Sequence, residues 1–334
     1  RKILEGWMSN IMFISRKDNT RVYSFADLNS AFKEVIEARH SAISDQGKEI
    51  VKLLSSSNRT LKVSKAAPSW KQYVDYVSDI VIKGFADTII TTIDHVYQQL
   101  SAEAIAKNEA APLLEIQLEL VAPDIIWKPE LGCAGGDGVR DMFNSWLKSF
   151  LDIGSKMKRL DIGEGNYAKE LEEDFMVYDA MSEVQAVVLS NEAECEAFRA
   201  SYLQYDYLYK KDLNEALQEF LEAEGVVGED GSKDAPPLEA FEAQVQKYRG
   251  VQAEINSMKT SASFGWIKVD AKPIKKALAT WATKWTYLYT HYLSQRVVNS
   301  MSDLYSFMEN TNAVLDQRLS TEKDPEAEEE EEDP

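Results

Sequence analysis

The sequence is poor in the residues that build disulfide frameworks and metal centres. Its 334 residues include two cysteines, Cys133 and Cys195, and three histidines, His40, His95 and His291. Two cysteines are too few for a disulfide framework and fit a reducing compartment. None of these five residues has partners at the spacing of a metal site. The sequence therefore predicts no metal ligands and no local Cys-His or Ser-His-Asp set.

Long hydrophobic runs and secretory signals are also missing. No window approaches 18 consecutive apolar residues, and the first residues do not form the charged, apolar and small-residue succession of a signal peptide. We therefore expect neither secretion nor a membrane-spanning helix. The chain starts with Arg-Lys-Ile-Leu, already inside an apolar pattern. That start is expected of a piece cut from a longer protein.

Basic charge is scarce as well. The chain has 37 Lys and Arg against 56 Asp and Glu, a formal net charge of −19. Residues 322–333 hold nine acids against Lys323, which gives −8 and leaves −11 for the rest. A like-charged run without aromatic residues buries too little surface to offset its chain entropy, so residues 320–334 are predicted to be disordered. The acidic body argues against nucleic-acid binding, which favours a basic stripe.

Helical periodicity is abundant. Hydrophobic residues make up 44% of the chain and charged residues 28%, which is typical of soluble globular proteins. Apolar residues at steps of three and four predict three long helices, over about residues 24–55, 68–100 and 273–319. Shorter helices are predicted over residues 139–158, 164–190, 192–209, 213–224 and 238–258.

The last long helix sets the expected fold class. Its apolar stripe is heptad-like, with one phase shift between Tyr292 and Val297, and continues through Met301, Leu304 and Met308. Trp and Tyr at its seam positions are too bulky for a plain two-stranded coiled coil. We therefore predict a mainly all-α protein of elongated multi-helix bundles, with this stripe packed inside a bundle.

One segment departs from helical periodicity. Residues 114–120 alternate apolar and polar side chains, and Ile-Ile-Trp-Lys at residues 125–128 follows after Ala-Pro-Asp, which predicts a small β-hairpin. A two-stranded hairpin is unstable alone, so it should lie against the helices. The glycine-rich residues 132–138 are then a flexible loop.

These patterns divide the chain into six segments. They are 1–110, a long-helix bundle; 111–138, the hairpin and glycine-rich loop; 139–224, shorter helices; 225–237, a linker; 238–319, a helical bundle with the long final helix; and 320–334, the disordered acidic segment.

Motifs for chemistry are weak throughout. A phosphate-binding P-loop needs Gly-x-x-x-x-Gly-Lys-Ser/Thr, and the nearest match, at Gly47, lacks the first glycine and the Ser/Thr and lies in a helical pattern. Residues 132–138 lack the strand-loop-helix context of a phosphate site, and residues 228–234 lack the acid pattern of a calcium loop. We therefore predict no catalytic, cofactor-binding or metal-binding residues in this chain.

Aromatic residues on the helices allow two interpretations. At helical spacing they are usually core, because they bury large areas. Tyr and Trp are also the residues that most often anchor a partner. Both alternatives stay open, and the candidate partner-interface residues are Trp281, Trp285, Tyr202, Tyr205 and Tyr209.

Several segments, taken in order, carry a family resemblance. They are Trp70-x-x-Tyr73-x-x-Tyr76-Val77, Pro-Leu-Leu-Glu-Ile-Gln-Leu-Glu-Leu at 112–120, Ile-Ile-Trp-Lys-Pro at 125–129, and Ala-Pro-Pro-Leu-Glu-Ala-Phe at 235–241. The strongest is Phe264-Gly-Trp-Ile-Lys-Val-Asp-Ala-Lys-Pro-Ile274 with Leu278, Trp285 and Leu293. Over residues 1 to about 318 this order resembles the N-terminal tail of dynein heavy chains, and the strongest segment resembles the axonemal branch more closely than the cytoplasmic one.

The resemblance implies a non-catalytic stem segment on the motor side of the tail, shortly before the linker whose swing delivers the power stroke. Such stems are strings of helical bundles. They carry intermediate and light chains, contact neighbouring heavy chains and dock the motor on doublet microtubules of a cilium or flagellum, after assembly in the cytoplasm. The ATPase of the family lies in AAA+ modules elsewhere. No cofactor, nucleic acid or membrane is expected for the segment, and the glutamate run after Leu319 would be a solvated insertion.

Two other hypotheses stay open. An independent helical adaptor or tethering protein would fold and bind alone, with the Tyr-rich helices as its partner groove. The stem interpretation instead predicts uncovered apolar surface near Leu4, Trp7 and Ile11. An enzyme of an unfamiliar helical class would need a cleft with a perturbed acid or a metal.

Overall fold

A computed structural model of the chain describes residues 2–8, 10–16, 18–161, 164–227 and 233–322. The helices are α1 (Lys2–Met8), α2 (Phe25–Leu61), α3 (Pro68–Leu100), α4 (Ala102–Lys107), α5 (Val139–Leu151), α6 (Ala168–Glu172), α7 (Phe175–Ala200), α8 (Tyr207–Lys210), α9 (Leu213–Glu224), α10 (Leu238–Ser257) and α11 (Lys272–Glu322). The strands are β1 (Leu114–Val121), β2 (Asp124–Lys128), β3 (Val226–Val227), β4 (Lys233–Asp234), β5 (Ser261–Phe264) and β6 (Ile267–Asp270). The predicted mainly helical class is confirmed.

Local signals fix the ends of the long helices. The Ser24 hydroxyl accepts the Asp27 N–H at 3.2 Å and begins α2. Helix α3 begins at Pro68, where the missing N–H costs no hydrogen bond, and its predicted span is confirmed. Helix α2 continues past its predicted end near residue 55 and stops at Lys62, which is left-handed at φ 51°.

The helices between residues 139 and 210 differ from the prediction. Helix α5 ends at Leu151 and continues only as a 3₁₀ turn, Asp152–Lys156. Asp174 caps α7 by accepting the N–H groups of Met176 and Val177. The predicted break between residues 190 and 192 is wrong, because Asn191 is buried within α7 and its side-chain amide donates to the Leu100 carbonyl at 3.3 Å.

The β-structure is larger than the predicted hairpin. Strands β1 and β2 do form that antiparallel hairpin, with Leu118 opposite Trp127. However, β1 also pairs in parallel with β6, and β5 pairs antiparallel with β6, so the sheet has the order β2-β1-β6-β5. Part of the predicted linker is also a short β3-β4 ladder, while residues 228–232 lie outside the described residues.

The chain forms two compact units, which we describe separately. The first comprises the described residues up to Asp206 together with Lys259–Ala277. An aromatic cluster lies in its core: Trp146 contacts Phe13 and Phe32 at ring-centroid distances of 5.0 and 5.6 Å. Phe13 lies near the start of the chain, and Trp7, nearby in the sequence, is also buried in this unit.

Trp7 is buried, although the sequence predicts uncovered apolar surface there. Trp7 is 2% exposed, stacks on Phe85 at 4.6 Å and donates its indole N–H to Gln46. Ile11 is half-buried, and the side chain of Leu4 lies outside those the structure describes. That expectation is therefore wrong at Trp7, because α1 packs on α3.

The second unit comprises Tyr207–Met258 and the described residues from Leu278 onward. Its core is a set of rings from α9, α10 and α11: Phe220, Phe241, Tyr248, Trp285 and Tyr289. The six-segment division drawn from the sequence stays a prediction. The acidic run over residues 323–334 lies outside the described residues, so its predicted disorder stays a prediction too.

Candidate functional site

The glycine that most resembles part of a P-loop has a packing role. Gly47 lies inside α2 and is buried. A Cβ atom placed on it would come 3.0 Å from the Met157 side chain, so the glycine allows close approach of residues 155–158 to the helix. Its backbone N–H lies within the helix.

The glycine-rich loop 132–138 is built around a carboxylate of the chain itself. One carboxylate oxygen of Asp141, in the first turn of α5, accepts the N–H groups of Ala134, Gly136 and Gly138 at 2.6, 3.0 and 3.3 Å. Three converging N–H groups form the kind of concave site that binds anions. Here Asp141 fills that site, and the hydrogen bonds lower the pKa of its carboxyl group.

The three histidines lie in different surroundings. The Nε2 atom of His40 lies 3.0 Å from the Ser149 carbonyl oxygen, and burial lowers the pKa of this histidine. Burial also lowers the pKa of His95. His291 is exposed and stacks on Tyr287 at 5.1 Å. Over the described ranges, no three His, Cys, Asp or Glu side chains are grouped closely enough to hold a metal ion.

The two cysteines also differ. Cys133 is exposed in the glycine-rich loop, whereas Cys195 is buried in α7. Burial, reinforced by Glu194 and Glu196, raises the pKa of the Cys195 thiol to about 12. The raised pKa favours the protonated thiol at neutral pH. Separately, none of the described helices is both long and apolar enough to cross a membrane.

The candidate interface residues in or near the α7 to α8 region are buried. Tyr202 has no exposed surface and contacts Phe198 edge-on at 5.4 Å. Tyr205 and Tyr209 are 4% and 7% exposed. These three side chains occupy core positions, which fits the alternative that aromatics at helical spacing are core. Their contribution to a partner interface stays a prediction.

The two tryptophans of α11 differ from each other. Trp285 is 1% exposed, stacks on Tyr248 at 5.0 Å and donates its indole N–H to the Leu208 carbonyl at 2.8 Å. Trp281 is half-buried, with the Lys284 ammonium 4.0 Å from the centre of its ring. Trp285 is thus a core residue of the second unit, and Trp281 is the more accessible of the two.

Trp281 lies in an open groove of about 560 Å³ within the second unit. Tyr209 and the start of α9 form one wall, and Trp281, Tyr287 and His291 of α11 form the other. The groove combines aromatic faces with lysine side chains. These surroundings suit the side chain of a partner protein.

An uncovered apolar surface lies further along α11. Every residue from 294 to 320 is exposed. Ten large apolar side chains there are between 51% and 68% exposed, and we call them the apolar stripe of α11: Val297, Val298, Met301, Leu304, Tyr305, Phe307, Met308, Val314, Leu315 and Leu319. The sequence predicted that this stripe packs inside a bundle. In the described chain it is uncovered, and five of its residues were not foreseen: Val298, Tyr305, Phe307, Val314 and Leu319.

Curated proteins similar to this chain are dynein heavy chains. The chain is 54% identical, over 97% of its length, to the flagellar outer-arm dynein beta chain of Chlamydomonas reinhardtii. It is 29% identical over 94% of its length to a ciliary dynein beta chain of Tripneustes gratilla, and 26% identical over 95% to dynein axonemal heavy chain 17 of Mus musculus. It spans about 7% of the length of each of these relatives. No family model matches the chain.

Proposed function

Because the chain belongs to the axonemal dynein heavy chains, we propose that it forms a non-catalytic stem segment, a mechanical strut and assembly scaffold between the docked tail and the motor. Its place is the axoneme of a cilium or flagellum, like that of its relatives. In this proposal the segment serves ciliary or flagellar microtubule-based motility, and the ATP-driven ring lies outside these residues.

The proposed strut role rests on the length of three helices. Helix α2 has 37 residues, α3 has 33 and α11 has 51. At 1.5 Å per residue, α11 extends about 76 Å without interruption. Such a helix transmits force along its axis with little bending when its apolar face is packed against neighbours.

We also propose that these residues bind no nucleotide and need no cofactor. The support is in what the glycines do: the loop 132–138 surrounds the Asp141 carboxylate, and Gly47 packs on Met157. Both glycine-containing segments thus have structural roles in the fold.

The proposed partners are dynein intermediate chains, light chains and neighbouring heavy chains, with docking proteins on doublet microtubules reached through the complex. Membership of a family whose chains work in multi-chain assemblies supports this. The groove at Trp281 and the apolar stripe of α11 supply two separate surfaces for such contacts. We further propose that assembly takes place in the cytoplasm before transport to the axoneme.

The strut role is testable in a full heavy chain that contains this segment. A Gly-Ser-Gly-Ser insertion after Ser306 interrupts α11 within its exposed part. The expected result is an unchanged microtubule-stimulated ATPase rate with a lower gliding velocity. The matched control is the same insertion between Gly135 and Gly136, which should leave both quantities unchanged because these residues lie in an exposed loop outside the helices.

Two outcomes would contradict the strut proposal. Loss of the ATPase rate with the α11 insertion would mean that the segment takes part in the chemistry. An unchanged gliding velocity would mean that continuity of α11 is not needed to transmit force.

The scaffold role is tested by affinity capture of the tagged chain from a ciliary or flagellar extract, followed by mass spectrometry. Enrichment of intermediate chains, light chains or other heavy chains over a tag-only control is expected. Enrichment of tethering or membrane-trafficking subunits instead would favour an independent helical adaptor and contradict the scaffold proposal.

A further inference from the structure

A groove beside Gly47 in the first unit concentrates lysine side chains, and we call it the lysine groove. Its open volume is about 540 Å³, and it lies between α2 and residues 155–158. Its described lining contains four lysines, Lys48, Lys52, Lys156 and Lys158, and no acidic side chain. Because the chain as a whole has a net charge of −19, this groove is a local exception to the charge of the protein.

Two of the four ammonium groups are not neutralised by the chain. Lys48 donates to Asp45 at 2.8 Å, and Lys156 pairs with Asp152. Lys52 and Lys158 are both exposed and make no ion pair within the part of the chain that the structure describes. Neighbouring like charges at a groove raise the local concentration of anions. The groove therefore favours a negatively charged ligand.

The floor of the lysine groove is apolar. It includes Val51, which is 44% exposed, and Met157, which packs where Gly47 leaves room on α2. A Cβ atom on Gly47 would lie 3.0 Å from the Met157 side chain. An apolar side chain of a ligand that covers this floor removes its own surface and the surface of Val51 from water, which stabilises the complex.

The walls of the groove set the size of the ligand. Ser44, Lys48 and Lys52 follow one another at steps of four along one side of α2, so that wall is about 12 Å long. Across the groove the backbone is extended at Met157, and Lys158 forms a β-bridge with Asn166. A length of about 12 Å accommodates about four residues of an extended peptide, which is enough for one apolar side chain with a carboxylate on either side.

We propose that the lysine groove binds an acidic segment of a partner protein, which places one large apolar side chain on the floor and carboxylates against Lys52 and Lys158. A ligand with charge alone would leave the floor at Val51 uncovered, and an apolar ligand without acids would leave both ammonium groups unpaired. The inference does not use the proposed function, since it concerns a ligand of the first unit and not the transmission of force.

The acidic run of the chain itself provides a matched pair of probes. Residues 323–334 carry many carboxylates but no large apolar side chain. A fluorescent synthetic peptide of this sequence therefore has the charge of the proposed ligand without its apolar part. The same peptide with Ala327→Leu has both. We expect the leucine peptide to bind the 334-residue chain about tenfold more tightly in fluorescence anisotropy at low salt, because the leucine is buried on the floor.

Two sets of variants separate the charged part of the groove from its apolar part. Lys52→Ala with Lys158→Ala should weaken the binding of both peptides by about fivefold. The matched control is Lys33→Ala with Lys71→Ala, which removes two exposed lysines outside the groove and should change the affinity by less than about twofold. Val51→Ser should instead bind the two peptides with nearly equal affinity, because it removes the apolar contact and keeps the lysines.

Four outcomes would overturn the proposal. Equal affinity of the parent chain for the two peptides would mean that the floor takes no part in binding. Equal losses from the two lysine pairs would mean that the peptide responds to overall charge. Displacement of the leucine peptide by sodium phosphate, but not by sodium chloride of the same ionic strength, would identify a phosphate site instead. Tighter binding after deletion of residues 323–334 would mean that the acidic run of the chain competes for the groove.

Discussion

At the scale of single residues, Trp285 links three elements of the second unit. Its ring stacks on Tyr248 of α10, and its indole N–H donates to the Leu208 carbonyl of α8. Replacing the indole by a phenyl ring keeps much of the apolar contact but leaves the buried carbonyl without this donor. The cost of such an unsatisfied acceptor is about 1–3 kcal/mol.

We therefore expect Trp285→Phe to lower the free energy of unfolding of the second unit by about 2 kcal/mol. Urea denaturation followed by circular dichroism measures it. The matched control is Trp281→Phe, which should cost less than about 1 kcal/mol because Trp281 is half-buried. Equal losses for the two variants would show that the hydrogen bond to Leu208 contributes nothing.

Asp141 provides a pH-dependent prediction. The N–H groups of the glycine-rich loop lower its folded-state pKa below the unfolded value. Its stabilising effect is therefore complete above the unfolded pKa and is lost as the pH falls through the folded pKa. We expect the amides of Ala134, Gly136 and Gly138 to lose protection from hydrogen exchange in acid, relative to intrinsic rates. Asp141→Ala should remove that protection already at neutral pH.

The matched control for this prediction is Asp137→Ala. Asp137 lies in the same exposed loop, but its carboxylate is not the acceptor of those three amides. Protection that persists in Asp141→Ala at neutral pH would mean that the loop is ordered by other contacts.

At the scale of elements, the sequence predicted those helices that have clear end signals. The span of α9 is confirmed because Asp212 caps it through the N–H groups of Asn214 and Glu215. The sheet was only half predicted. Strand β5 reads Ser-Ala-Ser-Phe, which is weakly apolar, and β6 pairs with β1 across a large separation along the chain. Local periodicity carries no information on such a pairing.

The apolar stripe of α11 shows another limit of sequence reasoning. The pattern of Met301, Leu304 and Met308 correctly indicated a helix face that avoids water. A seam packed by the same chain and a seam left for another segment require the same apolar residues, so periodicity does not distinguish them. The same limit applies to the candidate interface residues. Protein cores and protein interfaces both favour Trp and Tyr, so the residue type does not distinguish the two.

Gly265 determines whether the second hairpin can form. It turns the chain between β5 and β6 at φ +52°, and a Cβ there would lie 2.4 Å from the buried Asn191 side chain. Gly265→Ala should therefore destabilise the first unit by about 2–4 kcal/mol, from left-handed strain and displacement of the Asn191 amide from the Leu100 carbonyl. Thermal and urea unfolding measure this.

The control is Gly250→Ala, which should change the stability in the opposite direction. Gly250 lies within α10, and a Cβ there meets no atom within 4 Å. That variant should raise the helix stability by up to about 1 kcal/mol. If Gly265→Ala unfolds at the same denaturant concentration as the parent chain, the close approach to Asn191 does not constrain this turn.

At the scale of the whole molecule, two opposing properties govern association. The net charge of −19 makes copies of the chain repel one another, whereas the apolar stripe of α11 makes them attract. Salt shortens the range of the repulsion, from about 10 Å at 0.1 M to about 3 Å at 1 M, and leaves apolar attraction in place. The isolated chain should therefore self-associate more strongly as the salt concentration rises.

We expect the double substitution Met301→Glu and Met308→Glu to keep the isolated chain monomeric over concentrations at which the parent chain associates. The unfolding midpoint should not change, because both methionines are more than half exposed. Sedimentation velocity at several salt concentrations measures the association. The matched control, Ser302→Glu with Ser306→Glu, adds the same charge to the polar face of the same helix. Association reduced equally by both pairs would mean that added charge alone acts, whereas a reduction confined to the methionine pair identifies the stripe as the surface through which the chain associates.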